Sequence, residues 1–265
     1  MEFLIGQANS TLLAFVLSVV RIFVILTFIP LFEFKQIQAR TIKVAISAAI
    51  GMPIFIDIHE QIADRDFDAI TTPFIILKEV ALGVLIGYIL AMPFWIFQSV
   101  GAMIDNQRGA LSAGYLNPAS GPDASMIGDW LGKIVVIIML STGAFHHMFT
   151  FIYTSHSLFP VLEPFPLFQD QAWLEIASTF NYLVRQFVFY AGPVVLVLLL
   201  VEAAFAILGA YSPQLQVYFM AMPAKSLLAL VTVFLYIGYL VEHIANESAF
   251  YFDLNSRFTS IFTIL

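Results

Sequence analysis

The chain has 265 residues, 60% of them hydrophobic and 11% charged, with a net charge of −7 and no cysteine. Soluble domains are roughly 45–50% apolar and about 25% charged, so this chain lacks the polar surface to cover a globule in water. The composition argues against a soluble enzyme, a disordered chain and a nucleic-acid binder, which needs clustered Lys and Arg. It also excludes a disulfide framework or thiolate metal site, and what remains is a polytopic membrane protein.

A helix crossing the hydrocarbon needs roughly 20 apolar residues. Residues Met1–Ser10 hold Glu2 and no base, unlike the basic start of a signal peptide, so the first apolar segment is expected to be retained. That segment runs Thr11–Ile29 and carries Arg21; a second runs Thr41–Ile58. A third stays apolar from Pro73 to Ile104, too long for one straight crossing, with Pro93 dividing a span Phe74–Met92 from a kinked or interfacial continuation. Ile134–Tyr153, a stretch within Phe187–Tyr211, and Ser226–Ile244 complete six expected spans, followed by an amphipathic tail. The connection Glu33–Lys43 carries Lys35, Arg40 and Lys43, whereas Asp57–Thr72 carries five acids. The excess of positive charge puts the first of these inside and the N-terminus outside. No internal repeat or low-complexity tract divides the chain.

Enzyme signatures are missing. There is no HExxH helix or phosphate loop. His146 and His147 are adjacent, so on a helix they point about 100° apart and share no metal face. Neither a metal nor a cofactor is expected. Arg21, Lys78, Glu79, Glu202 and Glu242 lie in apolar runs. A charge at mid-bilayer costs at least about 2.5–3.5 kcal/mol, so each should pair or face water. Arg21 with Glu202 is one such pairing; Lys78 and Glu79 sit near a helix start, where they can snorkel. These charges read either as a proton or ion path or as pairs within the chain or with partners. Carriers gather charges near the midplane around broken helices, often in two repeated halves, a pattern this sequence does not display. Gly83 and Gly87 form a GxxxG, a packing face for a helix of this chain or of a partner.

Two stretches stand out. Asp105–Asp129, DNQRGALSAGYLNPASGPDASMIGD, is polar and rich in Gly and Pro between two apolar runs. It is either a solvent-exposed connector or irregular backbone that lines or blocks a cavity, the setting in which such backbone is tolerated at membrane depth. In Tyr211–Ser226, YSPQLQVYFMAMPAKS, Pro213 and Pro223 bracket an apolar segment, and the flanking helices should form an antiparallel hairpin.

These stretches carry a resemblance. Asp105-Asn106-Gln107-Arg108-Gly109-Ala110 with Asn117-Pro118, Pro93-Phe94-Trp95 before them, Pro193–Leu200 with Glu202, and Ser212-Pro213-Gln214 with Pro223-Ala224-Lys225-Ser226 occur in order over roughly residues 73–240. In this the chain resembles the T subunit of the type III secretion export apparatus (SctT; flagellar counterpart FliR), and the injectisome members more than the flagellar ones. The resemblance implies an all-α membrane protein of the bacterial inner membrane, part of a helical export-gate assembly. It also implies an R-like part over 1–185, an S-like hairpin over 186–245 and a tail over 246–265. The implied function is non-enzymatic: a gate subunit forming and sealing the conduit for unfolded secreted proteins. Implied partners are the R, S and U subunits (flagellar P, Q and FlhB), export cargo and membrane lipids, with no nucleic acid. The loop 105–129 would be the plug, with Asp105, Asn106, Gln107, Arg108, Gly109, Gly114, Asn117 and Pro118 as its marked residues and an Asp105–Arg108 ion pair pinning it. Gly83, Gly87, Pro213, Gln214, Pro223 and Lys225 become candidates for subunit contact, with Arg21 and Glu202 as intramembrane charges. The alternative class is an independent small-molecule transporter or channel.

Overall fold

Backbone groups in hydrocarbon must bond within their own segment, and each apolar run of this sequence folds as a helix. In the computed structural model, residues 2–30, 39–63, 71–110, 125–164, 172–211 and 217–254 are described. They form α1 (Glu2–Phe28), α2 (Ala39–Ala63), α3 (Thr71–Gln107), α4 (Met126–Thr142), α5 (Ala144–Leu158), α6 (Ala172–Tyr211) and α7 (Val217–Ser248), then a 3-10 turn, Ala249–Asp253. No strand occurs among the described residues. Five helices are long and apolar enough to cross a membrane, and the bent pair α4 with α5 brings the candidate spans to six if it counts as one.

Two expectations about individual spans are corrected, and for the third span the continuation past Pro93 proves to be helical. The fourth is not one helix over Ile134–Tyr153. Gly143 takes a left-handed backbone (φ 76°) that caps α4, and α5 departs at a bend of 82°; without a Cβ, glycine adopts that conformation at little cost. The second span does not stop at Ile58, because α2 continues through Asp57 and Glu60 to Ala63. The third is a single helix of 37 residues with Pro93 inside it. A proline frees carbonyls one turn upstream, and here the Tyr251 hydroxyl donates to the Leu90 carbonyl at 2.7 Å.

The chain packs as two compact units, divided within α3 at Met92/Pro93. In the first unit (Met1–Met92, Ala144–Ile176, Tyr251–Leu265), α1 lies against α2, close enough that a Cβ on Gly51 would sit 2.9 Å from the Ser18 carbonyl. The GxxxG face of α3 is taken by α1. Gly83 lies over Arg21 and Val24, and Gly87 over Ile25 and Phe28. Glu79 is one helical turn before Gly83 on the same face, so the close seam carries it to Arg21. The guanidinium Nε donates to Glu79 Oε2 at 2.7 Å and Nη2 donates to Oε1 at 2.9 Å, with both side chains fully buried.

This corrects the expected Arg21–Glu202 pair, and it corrects the expectation that Lys78 and Glu79 snorkel. Lys78 is 6% exposed, with its Nζ 3.3 Å from Glu79. The two cations also gather the carbonyls at the end of α5. Arg21 donates to the Ser155 carbonyl at 2.8 Å and the Phe159 carbonyl at 2.8 Å. Lys78 donates to the carbonyls of Pro160, Val161 and Glu163 at 2.7–2.8 Å. A helix C-terminus leaves carbonyls without partners and carries partial negative charge, which offsets the excess of two cations over one carboxylate there.

The second unit (Pro93–Gly143, Ala177–Phe250) holds the rest of α3, α4, and the α6–α7 hairpin. The α3 and α4 backbones meet at Gly101 and Gly128, where a Cβ on Gly101 would fall 2.3 Å from the Gly128 nitrogen. Helix α4 also packs on α7. At one end of the hairpin Tyr182, Gln186 and Tyr190 all donate to the Glu247 carboxylate, at 2.7, 3.0 and 2.8 Å. At the other, Lys225 pairs with Glu202 at 2.9 Å. These pairings make α6 and α7 antiparallel, as their short connection requires.

Two outcomes follow. Glu79→Gln leaves Arg21 buried beside a neutral amide and should cost about 3–5 kcal/mol, while Glu242→Gln, on an exposed position of α7, should be silent. Gly101→Ala forces backbone apart and should cost about 1–3 kcal/mol. Gly238→Ala, where a Cβ meets nothing within 4 Å, should stabilise by up to about 1 kcal/mol. Thermal unfolding of the variants in mild detergent ranks them; equal melting of Glu79→Gln and Glu242→Gln would refute the buried cluster as a structural keystone.

Candidate functional site at the foot of the glycine-rich segment

Helix α3 ends as the sequence NQRGA dictates. Gly109 stands at φ 80°, the Gly109 amide donates to the Asn106 carbonyl at 3.0 Å, and the Ala110 amide reaches back to the Asp105 carbonyl at 3.0 Å. That pair of bonds around a left-handed glycine is a Schellman cap, which satisfies the last carbonyls of a helix. Fifteen residues on stands Ser125, whose backbone is extended and whose hydroxyl accepts from the Gly128 amide at 2.8 Å, capping α4.

One carboxylate joins the two feet. Asp105 is fully buried, and its Oδ2 accepts from the Ser125 hydroxyl at 2.6 Å and the Ile127 amide at 2.8 Å. Its Oδ1 accepts from Arg108 Nε at 2.7 Å. An anion facing the first amides of a helix is stabilised by the helix dipole, and bonds to an ionised acceptor are roughly twice as strong as neutral ones. Asp105 therefore caps α4 from α3 and holds residues 110 and 125 together.

The same end of α3 reaches the hairpin. Arg108 Nη1 donates to the Ser226 hydroxyl at 3.0 Å, and Gln107 donates to Glu202 Oε2 at 3.4 Å, the oxygen that also receives Lys225. Asn106, Gln107, Arg108, Glu202 and Lys225 line a cavity of about 510 Å³, whose apolar wall includes Phe205 and Met222.

The structure thus brings Asp105, Asn106, Gln107, Arg108 and Gly109 to one place with Glu202 and Lys225. Pro223 lies inside α7. Gly83 and Gly87 pack against α1, and Arg21 belongs to the cluster with Glu79. Gly114, Asn117, Pro118, Pro213 and Gln214 lie outside the described residues. Sequence reasoning missed Ser125, Ser226 and Glu247. An N-cap serine before an apolar run was a signal for Ser125; Ser226 and Glu247 carry none, since their partners lie 118 and 57–65 residues away. Among the described residues, no group of three His, Cys, Asp or Glu could hold a metal ion.

A family model, Bacterial export proteins, family 1, matches residues 12–250. Over 200 residues the chain is 30% identical to Yop proteins translocation protein T of Yersinia pestis, covering 74% of this chain and 76% of that one. It is 32% identical over 165 residues to the surface presentation of antigens protein SpaR of Shigella flexneri, covering 61% and 62%. It is 25% identical over 260 residues to the secretion system apparatus protein SsaT of Salmonella typhimurium, covering 96% and 99%. Export membrane proteins, not enzymes, make up this family. With its helical spans, its glycine-capped segment and a match over nearly its whole length, the chain belongs to bacterial export protein family 1, as a multi-pass inner-membrane component of a type III secretion export apparatus.

Proposed function

We propose that this subunit forms and seals the conduit for unfolded secreted proteins, with residues 105–129 as the seal. The observation that carries the reading is the Asp105 clamp. A glycine- and proline-rich segment between two apolar helices is held at both ends by one buried carboxylate, so its two anchors are fixed relative to each other. A closed gate must stop ions and still open for a chain of any sequence. Anchored, glycine-rich backbone suits both demands, because it asks for no particular side chain from the cargo.

Helix length supports the partners. Helix α6 has 40 residues, about 60 Å at 1.5 Å per residue, whereas the hydrocarbon core is about 30 Å thick. Leu196, Leu199, Leu200, Ile207 and Leu208 of α6 and Phe234 and Leu235 of α7 are exposed in the isolated chain. Lipid covers only part of so long an apolar face; helices of R-, S- and U-type subunits cover the remainder in this proposal. Residues 186–245, the greater part of the α6–α7 hairpin, are its S-like part, and residues 1–185 are the R-like part.

Removing residues 114–121 should leave the complex assembled, since the packed helices and the Asp105 clamp remain, and should raise membrane conductance. Complexes present at normal level with unchanged ion tightness would return the segment to a connector. Expressed without R- and S-type subunits, the chain should be degraded or aggregate, and their co-expression should restore it. A monodisperse, long-lived monomer in mild detergent would refute obligate assembly.

A further inference from the structure

We propose that Gln107, Arg108, Glu202, Lys225 and Ser226 form a latch through which a shift at the start of α7 loosens the Asp105 clamp. The inference rests on the seal proposed above and adds its control point, which lies in the hairpin rather than in the segment itself.

Two neighbours at the end of α3 meet both helices of the hairpin, Gln107 through Glu202 of α6 and Arg108 through Ser226 of α7. Arg108 donates to Ser226, and Gln107 shares the Glu202 oxygen with Lys225. The Arg108 guanidinium is a planar, rigid fork. Its Nε is on Asp105 and its Nη1 is on Ser226, so withdrawing Ser226 removes one of its two anchors, and dragging Ser226 tilts the plane away from Asp105. Either movement weakens the charge-assisted bond that balances the buried carboxylate between the feet of the segment.

Movement at this point is built into α7. Pro223 stands two residues before Lys225, and a proline inside a helix removes one backbone bond and crowds the carbonyl four residues back. The turn preceding Lys225 is therefore the weak joint of the helix. The neighbouring cavity of about 510 Å³ leaves room for a shift without compression. The ion pair is also of the right strength to give way. In the isolated chain Glu202 is 55% exposed and Lys225 13%, so the pair is held from fewer sides than the sealed Arg21–Glu79 pair.

The test uses the whole export complex, purified with its partner subunits. This chain has no cysteine of its own, so Ala110→Cys supplies a single thiol at the foot of the segment, and its rate of modification by a soluble maleimide reports opening of the clamp. Glu202→Lys should raise that rate about threefold, the change expected when a partly exposed ion pair is lost. Glu202→Lys combined with Lys225→Glu should return it to the starting rate, which a change that merely damaged the fold would not do. Ser226→Ala should raise it in the same direction. An unchanged rate in Glu202→Lys with the complex intact, or a rate left high by the charge exchange, would overturn the latch. Conductance of the 114–121 deletion is read separately. A tight deletion with a responsive thiol rejects the seal and keeps the latch; a leaking deletion with an unresponsive thiol does the reverse.

Discussion

The first unit depends on a guanidinium placed where water cannot reach it. Arg21 has five N–H donors, and five contacts meet them: two to Glu79, two to Ser155 and one to the Phe159 carbonyl. A buried ion persists only when its lost hydration is replaced in full, so α1, α3 and the end of α5 have to arrive together. Lys78 extends the demand to Pro160, Val161 and Glu163. The cluster turns three apolar helices, whose contacts alone carry little direction, into an arrangement with a fixed register. It also removes these charges from the list of groups that could ferry ions, because their partners are already taken.

Both units use one construction. Glycines let two backbones approach, and a polar group then locks a helix end across the gap. In the first unit Gly83 and Gly87 bring α3 onto α1, and Arg21 with Lys78 closes the carbonyl end of α5. In the second, Gly101 meets Gly128, and Asp105 closes the amide end of α4. The signs match the ends: cations sit on the negative pole of a helix and the carboxylate on the positive pole. Where lipid competes equally for every apolar face, such polar locks and small-residue seams supply the specificity that hydrophobic burial supplies in water.

What could be read from the sequence was what is local. Apolar length gave most of the crossings, Pro93 marked the division inside α3, and the ion pair of Asp105 with Arg108 was expected. The pairing of Arg21 was not legible, because Glu79 is 58 residues away and several carboxylates had equal claim. Lys78 near a helix start suggested an interfacial side chain; its true partners are backbone carbonyls, which no pattern of side chains reveals. The break at Gly143 was hidden inside an even apolar run, where one glycine among small residues reads as tolerated. In the site, the Asp105–Arg108 pair was legible; the Ser125 foot and the coupling to Ser226 were not, since those contacts exist only once α4 and the hairpin have folded back.

The clamp at Asp105 has a consequence for how this family can diversify. Because one residue fixes the separation of the two feet, the stretch between residues 110 and 125 can change length without moving either helix. Lengthening such a tethered stretch costs only entropy, about 0.6 kcal/mol for each doubling. The register of α3 against α4 is thus set by Asp105 and not by the length of the stretch between them, so the helices that hold the assembly together can stay in place where that stretch differs.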